Sequence, residues 1–285
     1  MEPFVALAEA GTPELLHIRH WTERYPELTA GFTTRNGGVS AAPFGSLNCG
    51  LHVADADDSV VVNRTRVADA IGMPLTGWIY GEQVHGSDVA RVTTADAGRG
   101  TASRSDAIQA RDAFITSETG LCLAAMFADC VPLYFYDPVH RAVGLAHAGW
   151  KGTVLQIAKQ TVTAMGECFG SVPAQLVAAV GPSIGVCCYE VDDTVMDKVK
   201  ALLPEIADAE AFDSGAETFY EPSPNGKWML NLQQINRQIM IKAGILPSRI
   251  ELTRLCTSCR VDKFYSHRKE QGSTGRMIAW IGLRK

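Results

Sequence analysis

The chain has 285 residues, 46% of them hydrophobic and 20% charged, which suffices for a substantial core and argues against a disordered or fibrous architecture. A formal net charge of -5 gives no basic excess, so neither nucleic acid nor a membrane is an expected partner. Small molecules are the expected partners, and a few Lys or Arg residues around one pocket are enough to receive a phosphate.

The opening segment MEPFVALAEAGTPELLHIRH has no basic leader and carries Glu2, Glu9 and Glu14, so it does not read as a signal peptide. The longest apolar stretch, Leu121 to Tyr136, is cut by Asp129 and Pro132 and is too short to cross a bilayer. A cytoplasmic location is therefore expected, with the eight cysteines reduced and most of them buried. No repeat or linker interrupts the chain, and one domain over residues 1–285 is expected.

In chain order, GFTTRNGGVSAAPFGSLNCGLHV reads as a strand, a long turn-rich loop and a second short strand, the kind of loop that faces ligands. Trp78 to Val84 alternates as a strand, and Ile115 to Phe127 is a second buried segment. VPLYFYD and AVGLAH follow as strands joined through Asp137 and Pro138. Val154, Ala158, Val162, Met165 and Phe169 recur at helical spacing between Gly152 and the stop at Gly170. LVAAVGPSIG predicts a strand, Val191 to Leu203 a helix closed by Pro204, and Leu230 to Ala243 a helix ended by Gly244. IELTRL and MIAWIGL complete the set as strands. Strands and helices mixed without strict alternation predict an α+β fold.

The hairpin places chemistry on one face. Antiparallel pairing of VPLYFYD with AVGLAH is expected to bring Cys130 opposite His147, with Cβ atoms roughly 4.5–5.5 Å apart. At that separation a thiolate and an imidazole can share a metal ion or act as nucleophile and base. His85 in EQVHG supplies a third donor, and three protein ligands leave a fourth position open, as in catalytic zinc sites. Taken singly, each residue also suits a bland role as a core thiol or a satisfied histidine. HAGWKG is read as a strand-to-helix turn whose free backbone N–H groups can meet an anion, although it lacks the spacing and the Ser/Thr of a P-loop. CTSC, at Cys256 and Cys259, has no second CxxC and reads as free thiols; the adjacent Cys187 and Cys188 have no assigned role. The HxE and PCxxC signature of zinc deaminases is absent.

Several separated motifs occur together in one order: GFTTRNGGVS, SLNCGLHV, Asn63-Arg64, EQVHG, FADCVPLYFYD, GLAHAGWKG, VGPSIGVCCYEV, Cys256-Thr257 and TGR. From about Gly31 to Leu283 the chain resembles the laccase-domain family, also called the YfiH-like or polyphenol oxidase family, whose bacterial members include the peptidoglycan editing factor. The resemblance implies a single α+β domain of mixed sheets sandwiched and flanked by helices. It implies metal ligands at His85, Cys130 and His147, with zinc as the occupant and copper as the less favoured alternative. It implies phosphorolysis of adenosine, inosine, guanosine or methylthioadenosine to base and ribose 1-phosphate, with adenosine deamination as a second activity. Cys49, Ala54, Ser183 and His267 depart from the family's usual residues and bear on substrate preference.

Within that reading Asp129 is the candidate proton shuttle beside Cys130. Arg35 and Arg64 are the candidate phosphate forks, and Asn48 and Gln83 the candidates for sugar or phosphate oxygens. Three rivals remain: a cysteine hydrolase or amidase acting on a peptidoglycan precursor through Cys130 and His147, a copper-dependent polyphenol oxidase, and a non-enzymatic module built on structural zinc. The preferred nucleoside and the oligomeric state are not legible.

Overall fold

Alternation along the longest strands dictates the layering. In the computed structural model, which describes residues 1–7, 11–207 and 218–285, the segment MIAWIGL sends Met277, Ala279, Ile281 and Leu283 to one face and Ile278 and Trp280 to the other. Every residue of that strand is buried, as are all of VPLYFYD and AVGLAHA, because both faces of each sheet are covered.

The elements run β1 (Phe4–Leu7), β2 (Leu15–Ile18), α1 (Arg19–Arg24), β3 (Leu28–Thr33), α2 (Asp57–Ile71), β4 (Trp78–Tyr80), β5 (Val89–Arg91), β6 (Ala113–Thr116), β7 (Cys122–Phe127), β8 (Val131–Asp137) and β9 (Ala142–Ala148). They continue with α3 (Trp150–Val154), α4 (Ile157–Phe169), β10 (Val177–Val180), β11 (Glu190–Val191), α5 (Asp193–Ile206), β12 (Tyr220–Pro222), β13 (Trp228–Leu230), α6 (Leu232–Lys242), β14 (Ile250–Leu252) and β15 (Met277–Leu283). One six-stranded sheet has the order β1-β2-β3-β15-β7-β4, and the second β14-β10-β8-β9-β6-β5. Both are antiparallel except for parallel pairs at β4–β7, β10–β14 and β5–β6.

Between the sheets lies one apolar layer that includes Phe32, Leu123, Phe127, Tyr134, Val143, Leu145 and Ala279. The outer face of the second sheet packs against residues of α4, α5 and α6, and the outer face of the first against Val67, Ala68 and Ile71 of α2. The result is the expected mixed-sheet sandwich flanked by helices, each buried Leu or Phe contributing about 1.5–3 kcal/mol.

Several local expectations change. Pro132, not Cys130, lies opposite His147, because the turn takes four residues and Asp137 pairs with Ala142. The Asp137 carboxylate closes that turn, accepting from the N–H groups of Val139 and His140. The shift is by two residues, so the face of each side chain is preserved. Ile115 to Phe127 divides into β6 and β7, which join different sheets. The second strand expected before His52 is loop, and the helix after His147 is broken at Gln156, whose φ is 56°. α5 runs past Pro204 to Ile206. Helix α2 was not foreseen: its Val60-Val61-Val62 run favours a strand locally, but Asp57 and Asp58 complement the helix N-terminus and Gly72 closes it at φ 68°.

His17 on β2 gives the fold a titratable element. It meets the Trp280 ring edge-on at 5.4 Å, and burial, followed by the Arg284 charge, lowers its pKa to about 4. The unfolded chain binds a proton below roughly pH 6.5 that the folded chain refuses, so stability from this group is full above that pH and is lost as pH falls toward 4. Urea unfolding is expected to show a loss of at most about 2 kcal/mol from this group between pH 7 and pH 5. His17→Gln should flatten that part of the pH dependence, and an unchanged slope would contradict the assignment.

Candidate metal centre and its cavity

Three chain segments deliver three donor side chains to one end of the sandwich. His147 stands near the end of β9 on the face toward the first sheet, its ring 5.3 Å from that of Phe127. Cys130 lies in the three-residue crossover from β7 to β8, just after Asp129, whose φ of 87° turns the chain sharply. His85 follows β4, itself at φ 61°. Such positive values in non-glycine residues are uncommon and mark a constrained site. Nε2 of His85 lies 3.8 Å from Sγ of Cys130, the two imidazole rings are 4.8 Å apart, and all three donor atoms fall within 4.8 Å of one another.

The donor chemistry and the surroundings fit a metal ion. Two imidazoles and one thiolate suit zinc or another first-row ion. Gly149 preserves the space: a Cβ there would lie 2.8 Å from Cδ2 of His85 and 3.1 Å from Sγ of Cys130. Burial is the largest influence on the Cys130 thiol and pushes it up. The charge of His147 and hydrogen bonds from both histidines outweigh burial and hold the thiol at about 6, so the sulfur is largely thiolate at neutral pH. Burial likewise pushes His147 down, while Cys130 and Asp112 raise it to about 9.

Asp112 organises two of the three donors and was missed in the sequence. Its Oδ1 is 2.8 Å from Nδ1 of His147 and accepts from the His85 N–H at 3.0 Å; Oδ2 accepts from the Val84 and Gly86 N–H groups at 3.1 and 2.8 Å. A carboxylate on Nδ1 leaves Nε2 as the donor nitrogen. Burial, the largest influence, raises the Asp112 pKa, but His147 and the backbone donors together hold it below the usual carboxylate value. The signal was in the register: Ala113 pairs with Ala146, so the next pair outward is Asp112 with His147.

A cavity of about 590 Å³ opens beside the three donors. Of the residues singled out in the sequence, Arg64, Gln83, His85, Asp129, Cys130 and His147 line it, whereas Arg35 and Asn48 do not. Arg35 donates to the carbonyl of Val261 and pairs with Glu270 at 3.0 Å in each case, and its guanidinium covers the Tyr265 ring. Asn48 is fully buried and bonds Asp55 and the Gly50 and Arg276 N–H groups. Arg64 reaches the cavity but donates to the carbonyls of Cys49, Gly100 and Thr101. Gln83 holds both backbone groups of Met126. The Asp129 carboxylate accepts from Thr257, Ser266 and the Arg268 N–H, which fixes the bend before Cys130. The cationic residues of the wall that sequence reasoning missed are Lys151, Arg268, Arg276 and Arg104, the last paired with Glu82 at 3.0 Å; His267 and His52, the latter with its pKa lowered to about 4 by burial and the neighbouring arginines, also line it.

The family model described as multi-copper polyphenol oxidoreductase laccase matches residues 29–284. The purine nucleoside phosphorylase YlmD of Bacillus subtilis is 44% identical over 277 residues, covering 96% of each chain. Two solved structures, the hypothetical protein YfiH of Bacillus licheniformis and YlmD of Geobacillus stearothermophilus, superpose with TM-scores of 0.90 at 43% and 39% identity, over 100% of both chains in each case.

Proposed function

This chain belongs to the multi-copper polyphenol oxidoreductase laccase family, and from that membership together with the geometry of its site we propose that it is a zinc-dependent purine nucleoside phosphorylase. The observation that carries the reading is the pairing of a three-donor metal set with a cation-walled cavity of nucleoside size. The whole chain then serves as one catalytic domain acting in the cytoplasm on nucleosides and phosphate, with no nucleic acid or membrane partner. Among the described residues no helix is long and apolar enough to span a membrane.

In phosphorolysis a phosphate oxygen bonds to C1′ of the ribose, the C1′–N9 bond breaks, and the base leaves with the electron pair and takes a proton. His85, Cys130 and His147 would hold the zinc, which would supply Lewis acidity when bound. Lys151, Arg268 and Arg276 offer the phosphate its positive charge, and Tyr189, with Arg268 stacked 5.0 Å over its ring, and Trp150 offer apolar surface to the base. Arg64 and Gln83 act as positioning residues, since their polar atoms are already committed to backbone. Asp129 positions Cys130. Copper fits less well: multi-copper oxidation needs several histidine-rich sites, and among the described residues one cluster of potential ligands contains histidine.

One observation favours a second reading. Cys130, His147 and Asp112 have the thiol–imidazole–carboxylate order of a cysteine hydrolase, with a thiol already at about 6. Incubating the purified protein with inosine and adenosine, with and without phosphate, separates the possibilities when zinc is quantified in parallel. Base release that requires phosphate, together with bound zinc, supports the phosphorylase. Ammonia release reveals deamination as well. No turnover of either nucleoside by zinc-loaded protein overturns the proposal, and a metal-free active protein silenced by iodoacetamide would support the hydrolase.

A further inference from the structure

Four further cysteines converge away from the cavity. Cys187 and Cys188 sit in the turn before β11, and Cys256 and Cys259 in the loop after β14. The two segments are joined by a parallel bridge between Ser183 and Cys256 and by the Thr257 N–H donating to the Ser183 carbonyl at 3.0 Å. Sγ of Cys259 lies 3.4 Å from the sulfurs of both Cys187 and Cys188, and all four sulfurs fall within 4.8 Å of one another. None of the four lines the cavity.

We propose that Cys187, Cys188, Cys256 and Cys259 form a second, structural metal site that binds one zinc ion through four thiolates. A tetrahedral zinc with bonds of about 2.3 Å holds its sulfurs about 3.8 Å apart, close to the separations found. A disulfide needs about 2.05 Å and would have to choose between two equidistant partners for Cys259. The backbone favours a thiolate at Cys256: the Gly185 N–H donates to its Sγ at 3.2 Å, and the Ser258 and Cys259 N–H groups also interact with that sulfur. A Cβ on Gly185 would crowd the sulfur of Cys187 at 3.3 Å and touch that of Cys256 at 3.6 Å.

Binding exchanges thiol protons for the ion and requires no oxidant. Cys256 is buried while Cys187 and Cys259 are exposed, so the ion has an entry path. The site would staple two segments that serve the cavity. Thr257, between two ligands, donates to Asp129 at 2.7 Å, and Tyr189, next to Cys188, lines the cavity wall. None of the four proposed ligands is a residue on which the phosphorylase reading rests.

Cobalt substitution tests it. The wild-type protein is expected to take up about two equivalents of Co²⁺, with strong sulfur-to-cobalt absorption dominated by the four-thiolate site. Cys187→Ser/Cys259→Ser should retain about one equivalent and lose most of that absorption. Should this variant not fold, His85→Ala/His147→Ala serves instead, and it is expected to keep about one equivalent with the four-thiolate spectrum. Wild-type protein that binds cobalt without the four-thiolate absorption, no binding by the histidine variant, or an intact mass lowered by the hydrogens of a disulfide would each overturn the proposal. The cobalt spectrum reports on the four-cysteine site, and nucleoside turnover, measured separately on wild-type protein, tests the phosphorylase reading.

Discussion

Asp112→Ala is expected to empty the His85–Cys130–His147 centre of metal and to reduce phosphorolysis on the order of a thousandfold, a loss of several kcal/mol in metal-derived stabilisation. The size follows from how much one carboxylate does. It fixes the His147 ring through Nδ1 and simultaneously accepts three consecutive backbone N–H groups, Val84, His85 and Gly86, that shape the loop carrying the second histidine. Alanine leaves these partly buried donors unpaired, at about 1–3 kcal/mol each. The milder change Asp112→Asn keeps an acceptor but not the charge, and its expected effect is the smaller one typical of a removed outer partner, about 10–100-fold in metal affinity. Metal content by mass spectrometry and kcat/KM for inosine check both variants. Equal metal affinity in all three proteins would remove Asp112 from the site.

Cys130→Ala should be as severe for activity, with a loss of about a thousandfold, but it should leave the loop around His85 intact, because Asp112 keeps all its partners. Cys130→Asp is the informative companion. A carboxylate is a zinc ligand but cannot serve as a thiol nucleophile, so the phosphorylase reading expects it to recover metal and part of the activity, and the hydrolase reading expects neither. Measuring zinc and base release on both variants decides which role the sulfur plays.

The layered architecture and the three donors were legible because they follow from local rules. Alternation along β8, β9 and β15 announces which side chains share a face, and a two-residue shift in the hairpin cannot move Cys130 and His147 to opposite sides. Other features depended on partners far along the chain. Nothing near Asp112 reveals its role until β6 is known to pair with β9, and nothing near Arg35 reveals that Val261 and Glu270 will occupy it. Arg35, in a glycine-rich loop, and Arg64, on α2, both read as ligand forks, yet carbonyls of the folded chain claimed both. The four-cysteine cluster escaped for a similar reason: its halves are a Cys-Cys pair and a CxxC separated by more than sixty residues, a spacing that matches no repeated motif.

The crossover at Ala128–Cys130 has a mechanical side. His85 and Cys130 both sit where the chain steps from the first sheet to the second, between β4 and β5 and between β7 and β8, and His147 belongs to the second. A bound ion would therefore pin both crossovers to the second sheet, and any sliding of one sheet over the other would alter the bite of the donors. Residues of the greasy interlayer, such as Leu145 and Ala125, would then tune metal affinity from a distance, through the spacing they set rather than through anything they touch.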